Sequence, residues 1–157
     1  VTGSMHIVDL PDAAAAQVFA HEDPLAKGGV FEGIFVRRFE NRSGRTMWQF
    51  KGNANNPRFL YIAAATNDPG PDLLAAQHRY LDSADCADKV IVHGPLLDGD
   101  GDAWRGTVLL LETADRAAAE RLIAADPTVR AGCYANAEML PWRFGGEENL
   151  RDLVARV

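Results

Sequence analysis

A histidine on the apolar stripe of a helix is the first residue whose position could support chemistry. Leu74, His78 and Leu81 recur at i, i+4 and i+7 within residues 72–87, and this spacing predicts a helix with His78 on its buried side. Because imidazole titrates near pH ~6.5, it can take or give a proton at neutral pH. His78 is therefore a candidate general acid or base, the alternative being a packed histidine satisfied by a backbone carbonyl.

A carboxylate at the end of a second helix is the other chemical candidate. Residues 114–125 consist of strong helix formers, Thr113 can cap their N-terminus, and Pro127 disfavours helical geometry at Asp126. The alternative role for Asp126 is a cap for the loop that follows its helix.

Five more residues are candidates for lining a substrate pocket, because they lie at strand ends or on the strand face that the helices should cover. Glycine at position 94 would let a ligand approach the backbone, and Thr107 offers a hydroxyl donor. A turn or packing role is the alternative for each. The five residues are Tyr61, Gly94, Pro95, Thr107 and Tyr134.

Composition argues against several other classes of function. The net charge of −6 opposes binding to a nucleic acid backbone. No apolar run approaches the ~20 residues that span a bilayer, and the N-terminus lacks a secretion signal, so a cytoplasmic protein without a membrane partner is expected. His6, His21 and His93 lack the short spacing of metal ligands, and the proposed chemistry requires no cofactor, so neither a metal nor a cofactor is predicted.

The elements that must position these side chains are read from periodicity. Strands are predicted at 58–63, 89–93, 104–112 and 133–144, and helices at 72–87 and 114–125, in the order β-α-β-β-α-β. This order is that of the ferredoxin-like split βαβ, an α+β fold with an antiparallel sheet covered by helices on one face. The bare face of such a sheet is expected to pack on a second sheet.

An internal repeat defines the domain organisation. Asp23-Pro24 and Gly29 recur as Asp126-Pro127 and Gly132, in each case 103 residues further on, and the match extends without a gap from 3–39 to 106–142. We therefore predict that residues 1–40 are the C-terminal β-α-β half of a first module and that 58–144 are a complete one. Residues 41–57 form a linker with a short strand at Thr46–Phe50, and residues 145–157 a C-terminal helix.

Several short motifs in the complete module resemble those of the YCII-related family of dimeric α+β barrel proteins. They are His78 followed by Tyr80-Leu81, then Gly94-Pro95-Leu96, Gly106-Thr107, Asp126-Pro127 and Ala131-Gly132-Cys133-Tyr134. The resemblance implies ferredoxin-like units paired through their sheets, with a pocket where a histidine and an aspartate face each other. By position these would be His78 and Asp126. The family includes an enzyme that removes chloride from a hydroxylated aromatic ring.

Two functions follow as hypotheses. In the first, His78 oriented by Asp126 serves as the acid–base group of a small-molecule enzyme that catalyses elimination, isomerisation or cyclisation of an oxygenated or aromatic substrate. In the second, the chain is a non-catalytic ligand-binding or oligomerisation module. The first module lacks its two leading strands and first helix, so we expect a homo-oligomer, or pairing with a missing N-terminal segment.

Overall fold

The computed structural model describes residues 3–99 and 101–145. The predicted C-terminal helix at 145–157 lies, apart from residue 145, outside these residues. In chain order the elements are α1 (Ala13–His21), α2 (Pro24–Lys27), β1 (Arg38–Phe39), a 3-10 helix (Met47–Gln49), β2 (Arg58–Ala65), α3 (Pro71–Leu81), β3 (Val90–Leu97), β4 (Trp104–Glu112), α4 (Arg116–Ala125), α5 (Pro127–Arg130) and β5 (Tyr134–Trp142).

The five strands form one antiparallel sheet in the order β1-β3-β4-β2-β5. From β2 to β5 the chain follows the β-α-β-β-α-β order, with β2 and β4 at the centre, and this confirms the predicted ferredoxin-like α+β fold. Because β3 and β4 are joined by a short connection while β2–β3 and β4–β5 are joined through helices, both longer helices reach the same face of the sheet.

The helix-covered face holds the larger core cluster. Leu81 of α3 and Leu122 of α4 pack there against Phe59, Leu109 and Leu111 of the sheet. The N-terminus of α4 is fixed by Asp115, whose carboxylate accepts a hydrogen bond from the Ala118 amide at 2.7 Å. Packing of apolar helix faces against central strands thus orients the α3 and α4 side chains that point toward the sheet.

The opposite face is not left bare, because the leading part of the chain lies on it. Met5, Met47 and Phe50 pack against a buried cluster that contains Ile91 and Leu110. Pairing of this face with a second sheet therefore stays a prediction, and any such partner would meet a face already partly covered.

The linker differs from its prediction at residues 46–50. A 3-10 helix at Met47–Gln49 replaces the short strand, and the Thr46 amide donates a hydrogen bond to Gln49 Oε1 at 2.7 Å. A local side-chain bond of this kind favours a turn over an extended segment that has no neighbouring strand to bond.

The first 40 residues adopt only part of the predicted β-α-β arrangement. The helix is present as α1, whereas residues 3–12 and 28–37 contain no strand. Residues 38–39 pair with β3 as β1, and the main chain continues beside β3, with the Glu40 amide bonded to the Pro95 carbonyl at 3.2 Å. The leading segment thus adds an edge strand to the module instead of forming a sheet of its own.

Candidate functional site

The catalytic candidate His78 lies in the last turn of α3, where it contacts the residue that ends the helix. Its Nε2 atom is 3.1 Å from Oδ2 of Asp82, four residues later on the same face. Both side chains are about half exposed, at 44% and 47%. The carboxylate that meets His78 is therefore Asp82, a residue that the sequence analysis did not single out.

A second histidine completes this group from the sheet. His93 of β3 is 3% exposed, and its Nε2 lies 3.1 Å from Oδ1 of the same Asp82. The two imidazole rings are 5.4 Å apart between centroids. One carboxylate thus bridges two imidazoles, one buried and one half exposed.

The environment of His93 sets its charge. Burial lowers the pKa of His93, an effect opposed by the hydrogen bond and the negative charge of Asp82 and reinforced by the nearby charges of His78 and Arg45. The net direction is downward, which keeps the imidazole neutral at neutral pH, with a lone pair that can accept a proton.

The 41–45 segment holds His93 in place and shapes a cavity beside it. Ser43 Oγ accepts a hydrogen bond from the His93 amide at 2.6 Å, and the Arg45 guanidinium donates to the carbonyls of Ala87 and Ile91. The cavity measures about 330 Å³, a volume at the lower end of small-molecule sites. It is lined by Arg42, Ser43, Gly44, Arg45, Leu81, Asp82, Ala87, Val90 and His93.

Asp126, the predicted partner of His78, is bonded elsewhere. It is 2% exposed, and its carboxylate accepts hydrogen bonds from Gln77 Nε2 at 2.9 Å and from the amide and hydroxyl of Thr128 at 2.8 and 2.6 Å. Successive residues on a helix lie about 100° apart, so the side chain of α3 that faces Asp126 is Gln77 and not His78. The structure thus does not bring the predicted pair into hydrogen-bond contact.

The Asp126 network continues to Tyr134 through Thr128. Since the single hydroxyl hydrogen of Thr128 goes to Asp126, Tyr134 donates to Thr128 Oγ1 across 2.7 Å. Burial, followed by the charge of Asp126, raises the pKa of Tyr61 to about 12, and burial also raises that of Tyr134. Both phenols are neutral at physiological pH. The arrangement stabilises the junction of α3, α5 and β5.

The remaining pocket candidates, Gly94, Pro95 and Thr107, lie in the paired strands β3 and β4. A Cβ at Gly94 would clash with the carbonyl oxygen of Glu40, so the close approach that glycine permits is made by the chain itself and not by a ligand. Pro95 accepts the Glu40 amide through its carbonyl, and the buried hydroxyl of Thr107 donates to the Gly94 carbonyl at 3.2 Å. These contacts hold the three residues within the protein, and their part in a substrate pocket stays a prediction.

The group that the sequence did not predict has the composition of a metal site. One ligand atom from each of His78, Asp82 and His93 lies within 4.8 Å of the others. The i, i+4 spacing of His78 and Asp82 was a sequence signal for the first two residues. Nothing comparable pointed to His93, whose nearest partner in the cluster is 11 residues away.

No helix in residues 3–99 and 101–145 has the length and apolar character needed to cross a membrane.

Comparisons with known proteins identify a family and a solved structure that this chain resembles. The model of the YCII-related domain matches residues 1–40 and 57–143. A solved structure of 5-chloro-2-hydroxyhydroquinone dehydrochlorinase from Burkholderia phenoliruptrix, in complex with 2,5-dihydroxybenzoquinone, is 24% identical in sequence with a TM-score of 0.49, over 59% of this chain and 99% of that chain. Among curated proteins, none matches this chain.

Proposed function

The chain belongs to the YCII-related domain family, and we propose that it is a small-molecule enzyme that moves a proton with a histidine–aspartate group. The reaction class is elimination, isomerisation or cyclisation, and the substrate is an oxygenated molecule such as a hydroxylated aromatic. The observation that carries this proposal is the Asp82 carboxylate held 3.1 Å from two imidazoles at the wall of a cavity of about 330 Å³.

Each of the three side chains has a distinct part in this reaction. His93 faces the cavity from a rigid strand, so its neutral ring is the proton acceptor. Asp82 orients the ring and stabilises the imidazolium that forms. His78 lies on the exposed side of Asp82, so the proton that His93 takes reaches solvent by way of Asp82 and His78, and this returns the group to its starting state.

This assignment replaces Asp126 with Asp82 as the carboxylate that serves a histidine. Asp126 is enclosed by donors that the protein already supplies, and we assign it a stabilising role. His78 keeps the acid–base role expected from its sequence position, now as the member of the group that is open to water.

The test is turnover of a panel of chlorinated hydroquinones and hydroxybenzoic acids, followed by chloride release and by deuterium incorporation from D₂O. We expect His93→Gln to lower kcat by about 10²-fold or more, since loss of a positioned general base has effects of that size. Asp82→Asn, at an exposed position that tolerates the change, should lower kcat with little change in KM.

The matched control is His21→Gln, which removes an exposed histidine of α1 far along the chain from the group. Turnover by wild type that survives unchanged in both His93→Gln and Asp82→Asn would contradict the proposal. Circular dichroism of each variant separates loss of chemistry from loss of fold.

A second candidate, a non-catalytic binding or assembly module, is favoured by a different observation. Large apolar side chains are exposed along the leading segment: Ile7, Val8, Val18, Phe19, Leu25, Val30, Ile34 and Phe35. This candidate predicts no turnover of any panel compound by wild type, together with a change of oligomeric state when Val18 and Leu25 are replaced by Glu.

A further inference from the structure

We propose that His78, Asp82 and His93 form a binding site for a divalent transition-metal ion of the Zn²⁺ type. The ion would take one nitrogen from each imidazole and one oxygen from the carboxylate. This combination of two imidazoles and one carboxylate suits zinc and its neighbours in the first transition row.

The distances already approach those of a coordinated ion. Ligand atoms held about 2.0–2.1 Å from zinc at tetrahedral angles lie roughly 3.3 Å from one another. Each Nε2 atom is 3.1 Å from an oxygen of Asp82, and the full set of ligand atoms spans no more than 4.8 Å. Closing the site thus requires the most distant pair of ligand atoms to approach each other by up to about 1.5 Å.

The burial of the three side chains indicates which of them has room to move. His93 is buried and fixed on β3, whereas His78 and Asp82 are about half exposed at the end of α3. His78 Nδ1 has no hydrogen-bond partner in the described part of the chain, and its Nε2 contacts Asp82, a residue that the ion would also bind. His78 is therefore the ligand that turns inward on binding.

The surroundings leave room for a fourth ligand and select against hard cations. His93 and Asp82 both line the cavity, so water or a substrate oxygen can complete a tetrahedron from that side. Mg²⁺ and Ca²⁺ require several oxygen ligands, and the group supplies one carboxylate. We expect the affinity to follow Co²⁺ < Zn²⁺, with no measurable binding of Mg²⁺.

Occupancy of this site has a consequence that rests on the proposed function. A metal ion takes the imidazole lone pairs that proton transfer needs, so Zn²⁺ would inhibit turnover and a chelator would restore it. The site itself does not depend on the acid–base role, because metal binding is measured without a substrate.

The experiment is a titration of the chelator-treated full chain with Co²⁺, read from the visible absorption bands of tetrahedral cobalt, followed by calorimetry with Zn²⁺. We expect one ion per chain at this site. Asp82→Asn and His78→Gln, both at partly exposed positions, should each weaken Zn²⁺ binding at least tenfold, and His93→Gln should abolish the cobalt bands. His21→Gln, the control, should bind as wild type does.

Two results would overturn the site: no binding of Co²⁺ or Zn²⁺ to folded wild-type protein, or binding that all three cluster variants retain. Binding that the variants lose, combined with turnover that Zn²⁺ leaves unchanged, would uphold the metal site and refute the shared acid–base role of these residues.

Discussion

Residues 12–29 and 115–132 have nearly the same backbone but very different surroundings. Asp12 and Asp115 are N-caps with φ and ψ of −159° and 175° in one case and −157° and 175° in the other. Gly29 and Gly132 end the two units at φ values of 68° and 71°.

The hydrogen bonds of the two units also correspond. Asp23 Oδ1 accepts the Leu25 amide at 2.8 Å, and Asp126 Oδ1 accepts the Thr128 amide at the same distance. Both aspartates precede a proline at the first position of a single helical turn, where the missing amide costs nothing.

The surroundings differ because only the second unit has a complete module around it. Leu122 and Thr128 are buried at 7% and 0%, whereas their counterparts Phe19 and Leu25 are exposed at 44% and 55%. β4 and β5, which flank the second unit, are both paired with β2. The corresponding residues 3–9 and 31–37 are irregular, and the last two residues that correspond to β5, Arg38 and Phe39, form β1 and pair with β3.

The comparison teaches which features are encoded locally. Caps, the Asp-Pro turn and the left-handed glycine form from a few adjacent residues, in either setting. Strand formation and burial need a partner that is distant in sequence, because a strand satisfies its backbone groups only through its neighbours.

The largest expected difference between the units is at their paired aspartates. Asp126→Ala removes the acceptor of three buried hydrogen bonds, so we expect the free energy of unfolding to fall by about 3 kcal/mol or more. Asp23→Ala removes an exposed cap and should cost about 1 kcal/mol or less. Urea unfolding of both variants measures the difference, and equal losses would show that the first unit is buried in solution.

The same contrast explains how far the sequence could predict the site. Helical periodicity predicted a helix at 72–87, whereas α3 spans Pro71–Leu81. It also put His78 on the buried side, although that side chain is 44% exposed, because periodicity does not fix the boundary between the two faces of a helix to better than one residue. Gln77 and His78 are neighbours on that boundary, and the structure directs Gln77 to Asp126 and His78 to Asp82. A distant carboxylate was inferred where the helix itself supplied one four residues later.

His93 could not be placed from its strand pattern because β3 is irregular. The register of β3 against β4 shifts between Val90 and Val92, so Val90 packs on the helix-covered face while Val92 packs on the other. After this bulge His93 lies opposite Leu109, on the helix-covered face. Strict alternation from Val90 would have put His93 on the far side, and only the pairing with β4 shows otherwise.

A second difference is expected at an equivalent apolar pair, Phe19 of α1 and Leu122 of α4. Leu122→Ala leaves a cavity in the core between α4 and the sheet, and should lower the free energy of unfolding by about 3 kcal/mol. Phe19→Ala at the equivalent position of α1 should cost about 1 kcal/mol or less, because the ring is nearly half exposed. Thermal and urea unfolding report both values. A Phe19→Ala loss as large as that of Leu122→Ala would mean that a partner covers α1 in solution.

The smallest difference is expected at Gly29 and Gly132. Replacing either by Ala has the same local free-energy cost, and only the extent of the structure that this cost destabilises differs. Ala at Gly29 or at Gly132 meets no atom within 4 Å, so the penalty in each case is the left-handed backbone alone, about 1 kcal/mol.

In the second unit this cost enters global unfolding, because α4 and α5 pack in the core. In the first unit it should appear only as roughly fivefold faster amide exchange across α1 and α2, since those helices can open without the module. Hydrogen exchange read residue by residue distinguishes the two. Slowed global refolding or a lowered midpoint in Gly29→Ala, equal to that in Gly132→Ala, would show that the half unit folds as one with the module it adjoins.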